Sequence, residues 1–513
     1  MNNFIKIYFW QVISILFNFG AVFIVTPYIS SNQSLYGIYA VVTSAYLFIS
    51  YADFGFLGAA MKYAAECFAK NNMVDEIKVV GFAAMVFLLF VLIYGLGILY
   101  VSISPSLLVS SIRGESEIRT ARELLIILAI FCPVFVVQRI VQVIYAVRLQ
   151  DYKFQRILIL SNTVKVLSIF MFFGGGNYLI VEYFLFSQVC TLFAVIAGLI
   201  VAKKSLNYDL LLLLKSVRLT KEQYIKTKKL AFTSIFLTLS WILYYELDTF
   251  VIVKFLGPNS VAIFTIALTL MTYFRTIFGV FFTPFITKFN YFVGLKDTEG
   301  LKAYFLKVMV IFIPCTLFPV LIVIFTAKNF IYTWVGDHYF SSVNIAQVML
   351  MCYLFSFITY PTGILIMANE KVKALYFTSA LQPFIYWVGI AITYSFLKLE
   401  AFAYFKFIAF FIETIVYIVY ILYFFNIKLF GFLKKIIFPI IPSILVLVVI
   451  LFFTRNYWPT GHLKINLLFY FINVGILVCV STIVYYFSSK IFRDFAQSLV
   501  LNLRQNIFTK LKS

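Results

Sequence analysis

Runs of about twenty apolar residues recur along this chain, and they constrain its fold more than any motif does. At 1.5 Å per residue, a helix of that length crosses the roughly 30 Å hydrocarbon core of a bilayer. Reading between the polar breaks predicts fourteen such helices, at 7–29, 36–60, 79–103, 124–146, 157–173, 179–202, 230–256, 260–284, 303–326, 341–367, 374–396, 402–425, 433–453 and 465–487. Strands of a membrane barrel would be about ten residues long and would alternate apolar with polar side chains. These runs are twice that length and continuously apolar. Each can satisfy its backbone hydrogen bonds internally as a helix, as hydrocarbon requires. Composition agrees: 63% of the residues are hydrophobic and 12% charged, against about 25% charged in a soluble domain. The fold class is an all-α polytopic membrane protein. The first run lacks a small-residue cleavage motif and leads straight into the second, so it reads as a retained span rather than a signal peptide.

Several functions drop out. Six cysteines lie far apart with no paired spacing, and there are only two histidines. Neither a disulfide framework nor a thiolate or histidine metal site is expected. No Walker A sequence or kinase signature occurs, so no nucleotide or other cofactor is expected on this chain. The net charge of +21 would suggest nucleic acid for a soluble protein. On a membrane protein it reads as cytoplasmic loops facing anionic phospholipids, with no nucleic-acid partner.

The bases set the orientation. With the N-terminus in the cytoplasm, the inner segments hold 28 Lys and Arg and the outer ones 8. That bias places both termini inside. The longest basic break, 203–229, divides the chain. It predicts an N-terminal six-helix bundle over 1–202, a basic linker with a short interfacial helix over 203–229, a second six-helix bundle over 230–425, and two further helices over 426–489. The tail, 490–513, carries Ile491, Phe495, Leu499, Leu503, Ile507 and Leu511 at spacing four, the pattern of an amphipathic helix on the inner leaflet. A faint echo at a shift of 225 residues sets Tyr36-Gly37-Ile38-Tyr39 on Val261-Ala262-Ile263-Phe264. Six is an even number, so repeated halves would share one orientation around a central cleft.

Function should reside where charge is costly. An ionisable residue facing lipid at mid-depth costs at least roughly 2.5 kcal/mol, so such groups should face protein or water. Lys165 and Glu413 fall at the midpoints of their spans, and Arg139 and Arg275 on the cytoplasmic side of centre. Arg139, Lys165 and Arg275 are the candidate cavity cations for an anionic substrate; the plainer alternative for each is an ion pair between packed helices. Glu246, Asp248, Glu413 and Asp53 are candidates for coupling or gating, with a structural role favoured for Asp53. Asp248 follows Tyr244 by four residues, so the two would share a helix face. Glu182, Lys307 and Lys406 lie nearer helix ends, where long side chains can snorkel to the interface. Pro361 and Gly363 form a candidate hinge within span ten.

Span two opens with Leu35-Tyr36-Gly37-Ile38-Tyr39 and ends in Tyr51-Ala52-Asp53-Phe54-Gly55-Phe56-Leu57-Gly58-Ala59-Ala60, followed by Lys62 and Glu66. Span seven carries Asp248 before Phe255-Leu256-Gly257-Pro258, and Arg275 and Pro284 follow. With the hydropathy and the basic break after span six, these stretches resemble the Wzx-type polysaccharide flippases of the multidrug/oligosaccharidyl-lipid/polysaccharide exporter superfamily. The resemblance implies two six-helix bundles around a central cavity, a C-terminal helix pair, and alternating access. It also implies a cargo: an undecaprenyl-diphosphate-linked oligosaccharide repeat unit. The cargo would move from the inner to the outer leaflet of a bacterial cytoplasmic membrane, for O-antigen, capsule or exopolysaccharide synthesis, with a polysaccharide polymerase as an implied partner. By resemblance, Arg275, Arg139 and Lys165 would meet the diphosphate. Lipid II flippases of the superfamily carry a base in the first helix; this chain has no charge from Lys6 to the end of span one. The drug exporters often use acids of the first or seventh helix, so Glu246 and Asp248 keep proton or sodium coupling open.

A flippase changes no covalent bond and needs no catalytic residue. The rival readings are a small-molecule or drug exporter of the same fold, and a membrane-embedded glycan polymerase or ligase. Such enzymes tend to carry a large outer loop, and the largest outer break here, 104–123, is about 20 residues.

Overall fold

The computed structural model describes residues 2–51, 53–109, 112, 114–369, 371–461, 464–499 and 501. Among them are twenty α-helices. The chain divides into two compact units, Met1–Thr265 and Ile266–Ser513. The first holds α1 (Asn2–Ile29), α2 (Gln33–Ile49), α3 (Phe56–Ala69), α4 (Met73–Ile103), α5 (Glu115–Val147), α6 (Asp151–Phe173), α7 (Ile180–Leu206), α8 (Leu210–Ser216), α9 (Lys221–Tyr245) and α10 (Asp248–Leu256). Helix α11 (Pro258–Phe282) runs through the division. The second holds α12 (Phe285–Gly294), α13 (Thr298–Val335), α14 (Ser342–Met351), α15 (Ser356–Ala368), α16 (Val372–Leu397), α17 (Leu399–Phe424), α18 (Leu429–Phe432), α19 (Ile441–Thr454) and α20 (Lys464–Ser488).

Among the described residues twelve helices are long and apolar enough to cross a membrane, or thirteen if the bent pair α14 and α15 forms one span. The all-α, multi-pass membrane architecture expected from the apolar runs is therefore present.

In the first unit α4 packs on α5 and α3, α2 on α5, α5 on α7, and α6 on both α7 and α1. The seam follows helical spacing. Ile38, Val42, Ala45 and Ile49 of α2 join Val80, Ala84, Phe87 and Val91 of α4 and Leu124 and Leu128 of α5 in one buried cluster. Ala60 and Ala64 of α3 belong to it as well. Lipid is as apolar as leucine, so helices in a bilayer associate by close packing, and small residues permit it. The other face of α4 presents Ile93, Leu96, Tyr100 and Ile103, all exposed. A contiguous apolar stripe of that kind suits a lipid-facing surface.

Three expected spans are not single helices. Span two, expected over 36–60, breaks between Ile49 and Phe56, leaving α2 only 17 residues long. Phe54 (φ 46°) and Gly55 (φ 77°) take left-handed conformations there, which no α-helix continues through. Asp53 ends the break by accepting from the Leu57 N–H at 3.1 Å. Span seven, expected over 230–256, breaks at Glu246 and Leu247 between α9 and α10. The spacing from Tyr244 to Asp248 crosses this interruption, at which Glu246 and Leu247 both keep right-handed helical backbone. Span ten becomes α14 and α15, bent by 49°. The bend falls at 352–355, whereas Pro361 and Gly363 sit inside α15.

Gly37 accounts for one contact within the first unit. A Cβ on it would run into the backbone carbonyl of Pro258, at the start of α11. Neither backbone can yield as a flexible side chain would. Gly37→Ala is expected to cost about 1–3 kcal/mol through overpacking. The measurement is a thermal melt of purified protein in detergent; a wild-type midpoint would refute the contact.

In the second unit α13 is the spine: 38 residues, roughly 57 Å at 1.5 Å per residue. It packs on α14, α15 and α20, while α16 packs along α17 and α19 along α20. The expected thirteenth span starts irregularly, with a π-turn at 433–437 and a 3-10 turn at 438–440. Pro439 and Pro442 lack the N–H groups a regular ladder would use there. The tail is helical over 490–499, with Lys307 of α13 over the Phe495 ring at 5.4 Å. Leu503, Ile507 and Leu511 lie outside the described residues.

Candidate functional site

The break between α2 and α3 borders a cavity of about 670 Å³. Its wall draws on α1 (Gln11), the α2–α3 link (Tyr51, Asp53), α5 (Arg139, Gln142), α6 (Asp151, Gln155) and α9 (Ser234, Thr238). Gly55 lets the walls meet: a Cβ there would strike Ser234 of α9. Gly55 thus serves twice, by its left-handed backbone and by its lack of a side chain.

Arg139 is the cavity's one cation among its described lining residues. It is half-buried, and its Nη1 donates to Gln142 Oε1 at 3.0 Å, one turn further along α5. Its Nε is buried and makes no hydrogen bond, and Gln155 Oε1 is in the same condition. A buried polar atom left unsatisfied costs about 1–3 kcal/mol, more when charged. An anionic guest would satisfy the Arg139 donor, and a guest hydroxyl the Gln155 acceptor.

The cavity is not uniformly basic. Asp53 and Asp151 line it too, so two carboxylates accompany one guanidinium. Asp53 is buried and tied to α3 by the cap described above. Tyr51 links the wall to the second break: its hydroxyl accepts from Trp241 Nε1 at 3.0 Å and donates to Glu246 Oε1 at 3.1 Å. Asp248 is buried at the start of α10 and accepts from the Thr249 N–H at 2.8 Å.

The other nominated residues lie elsewhere. Lys165 donates to Thr191 Oγ1 of α7 at 2.8 Å and is not among the residues lining this cavity. Arg275 belongs to the second unit, half-buried, and its backbone carbonyl accepts from the Tyr360 hydroxyl at 3.1 Å. Glu413, also in the second unit, is buried and accepts from Gln382 Nε2 at 2.5 Å. Among the three nominated cations, only Arg139 reaches this cavity. Lys406 does not snorkel: it is fully buried in the second unit, 5.1 Å from the Tyr386 ring. Among the described residues no cluster of His, Cys, Asp or Glu could hold a metal ion.

Reading the sequence missed one buried ion pair. Arg148, at the C-terminus of α5, forks both guanidinium nitrogens onto the Glu76 carboxylate of α4. Their side chains are 4% and 0% exposed. The guanidinium lies 4.6 Å from the Tyr208 ring and 5.1 Å from that of Phe68. Both charges fall in basic breaks between spans, where Arg148 counts only toward orientation and Glu76 not at all; nothing in the spacing separates a buried loop charge from a solvated one.

Compared by sequence, the chain matches no family model and no curated protein. Compared by structure, it is similar to a lipid II flippase, MurJ, in an inward closed conformation, at 13% identity with a TM-score of 0.68 over 93% of this chain and 98% of that one. It is also similar to an inward-facing multidrug resistance MATE-family transporter, at 14% identity with a TM-score of 0.61 over 80% and 94% of the two chains. A third likeness is a transporter of the MOP superfamily from Pyrococcus furiosus, at 14% identity with a TM-score of 0.55 over 82% and 94%. At these identities the likeness is one of fold, an all-α arrangement shared with solved multi-pass membrane transporters.

Proposed function

We propose that this protein is a flippase for lipid-linked oligosaccharides, of the Wzx type, working by alternating access in a bacterial cytoplasmic membrane. Its cargo in this reading is an undecaprenyl-diphosphate-linked repeat unit, moved from the inner to the outer leaflet for a surface polymer such as O-antigen, capsule or exopolysaccharide. The plan of six, six and two spans, the cytoplasmic termini and a polymerase partner belong to the same proposal. The observation that carries it is Arg139, a half-buried guanidinium with an unmet Nε donor in a polar cavity of a MOP-type fold. Arginine suits phosphate through forked, charge-assisted hydrogen bonds. Asp53, Gln142 and Gln155 would accept from sugar hydroxyls, and the prenyl chain would stay in lipid. Lys165 and Arg275 remain proposed second contacts along the path.

The two carboxylates favour one other reading, an exporter of organic cations. A deletion strain separates them. Loss of the flippase should leave lipid-linked oligosaccharide in the inner leaflet and deplete surface glycan. Drug sensitivity with normal glycan would select the exporter. Glu246, bound through Tyr51 to the cavity wall, and Asp248 are the proposed coupling residues, with Glu413 in the second unit. Unchanged transport in vesicles with both proton and sodium gradients collapsed would end the coupling proposal while leaving the flippase reading intact.

A further inference from the structure

A second feature of the first unit is an apolar groove of about 630 Å³ between α3, α4 and the start of α9. Along α4 its floor is Phe82, Val86, Leu89, Phe90 and Ile93, a stripe at helical spacing about 16 Å long. One end of the groove is different. There it meets Thr220 and Lys221, the N-cap and first residue of the 25-residue helix α9. Threonine at an N-cap normally accepts from an N–H of the first turn. Thr220 has the extended backbone of a cap but makes no such bond, and its Oγ1 is buried without any hydrogen-bond partner. Three features thus meet at one end of an apolar trough: an open helix N-terminus, an orphan hydroxyl and the exposed Lys221; two turns further along α9, Lys228 lies 5.7 Å from the groove-lining Tyr224 ring. The stretch 215–229 holds six bases and one acid, Glu222, and Glu222 accepts from Gln223 at 3.4 Å.

We propose that this groove holds one anionic glycerophospholipid of the cytoplasmic leaflet. Its phosphate sits on Thr220, Lys221 and the first-turn N–H groups of α9, and one acyl chain lies along the α4 stripe. Helix N-termini bind phosphate through open N–H groups and the dipole, and basic segments at a membrane surface attract anionic lipid. The groove supplies what a surface patch lacks, an apolar slot continuous with the phosphate site. The site serves the transporter whatever its cargo, so it does not depend on the flippase reading.

The test uses full-length protein, purified and stripped of lipid in detergent. Phosphatidylglycerol or phosphatidylcholine is added back, and bound lipid is counted by native mass spectrometry. One phosphatidylglycerol per chain is expected to bind in preference to phosphatidylcholine. Lys221→Glu should weaken it about tenfold, the scale of one charge-assisted contact. Ile93→Trp should block the acyl slot, whereas Leu96→Trp, on an exposed position of α4 outside the groove, should bind as wild type does. Both tryptophans replace exposed residues, so folding should survive. Equal binding of the two lipids, or wild-type binding by Ile93→Trp, would overturn the proposal. Displacement of phosphatidylglycerol by a polyprenyl diphosphate with the same Lys221 dependence would assign the groove to the cargo instead, and would also overturn it.

Discussion

Arg148→Ala is expected to destabilise the first unit by about 3–5 kcal/mol, the cost of leaving one member of a buried ion pair uncompensated. The Glu76 carboxylate has no exposure of its own and loses both guanidinium nitrogens at once. The stacking of the guanidinium between the Phe68 and Tyr208 rings goes too, and cation–π contacts of that kind are worth about 0.5–2 kcal/mol. The Tyr208 hydroxyl is itself buried without a partner; burial, then the nearby Glu76 charge, pushes its pKa above the ordinary phenol value. Arg148→Lys should recover only part of the loss, because an ammonium cannot fork. The decisive comparison is the double change Glu76→Gln with Arg148→Met. Removing both charges should cost less than Arg148→Ala alone, since a paired burial is expensive chiefly when broken. Melting of purified protein and its yield in membranes measure this. A near-wild-type Arg148→Ala would mean that water reaches Glu76.

These residues also mark how far sequence reading extends. The apolar runs and their length fixed the helical class, because bilayer thickness leaves few alternatives. The breaks inside spans two and seven were hidden, because Phe54 and Glu246 interrupt helices through backbone conformation and tertiary hydrogen bonding, which hydropathy does not register. Gly55 was visible as a residue, but its work depends on how close Ser234 comes. Depth arithmetic found Arg139, yet it could not separate Arg139 from Lys165, since both lie well inside their spans and only packing sends one to the cavity. For Lys406 the same arithmetic misled: a position near a helix end permits snorkelling, but the side chain turns inward. Asp151 was missed because it begins α6, in a break that reads as a loop.

Arg139→Ala should reduce transport of lipid-linked oligosaccharide by roughly 10- to 100-fold while leaving the protein inserted. The estimate follows from hydrogen bonds to a charged group, each worth about 1.5–3 kcal/mol, at 1.4 kcal/mol per factor of ten. Loss of folding is a weak rival explanation. Arg139 holds only Gln142 among its described hydrogen-bond partners, and removing a guanidinium from an apolar span favours insertion by about 2.5–3.5 kcal/mol on translocon scales. Arg139→Lys should be intermediate, keeping the charge and losing the fork. The sign of the effect also discriminates between cargoes. For a diphosphate, deleting the guanidinium removes the attraction and leaves Asp53 and Asp151 to repel the headgroup. For an organic cation, the same deletion leaves two carboxylates unopposed, and export should hold steady or rise. Surface glycan and resistance to cationic drugs, measured in one strain at matched protein level, should therefore move apart. Normal glycan with raised resistance would transfer the cavity to the exporter reading, because a guanidinium that a diphosphate headgroup does not need cannot be its binding site.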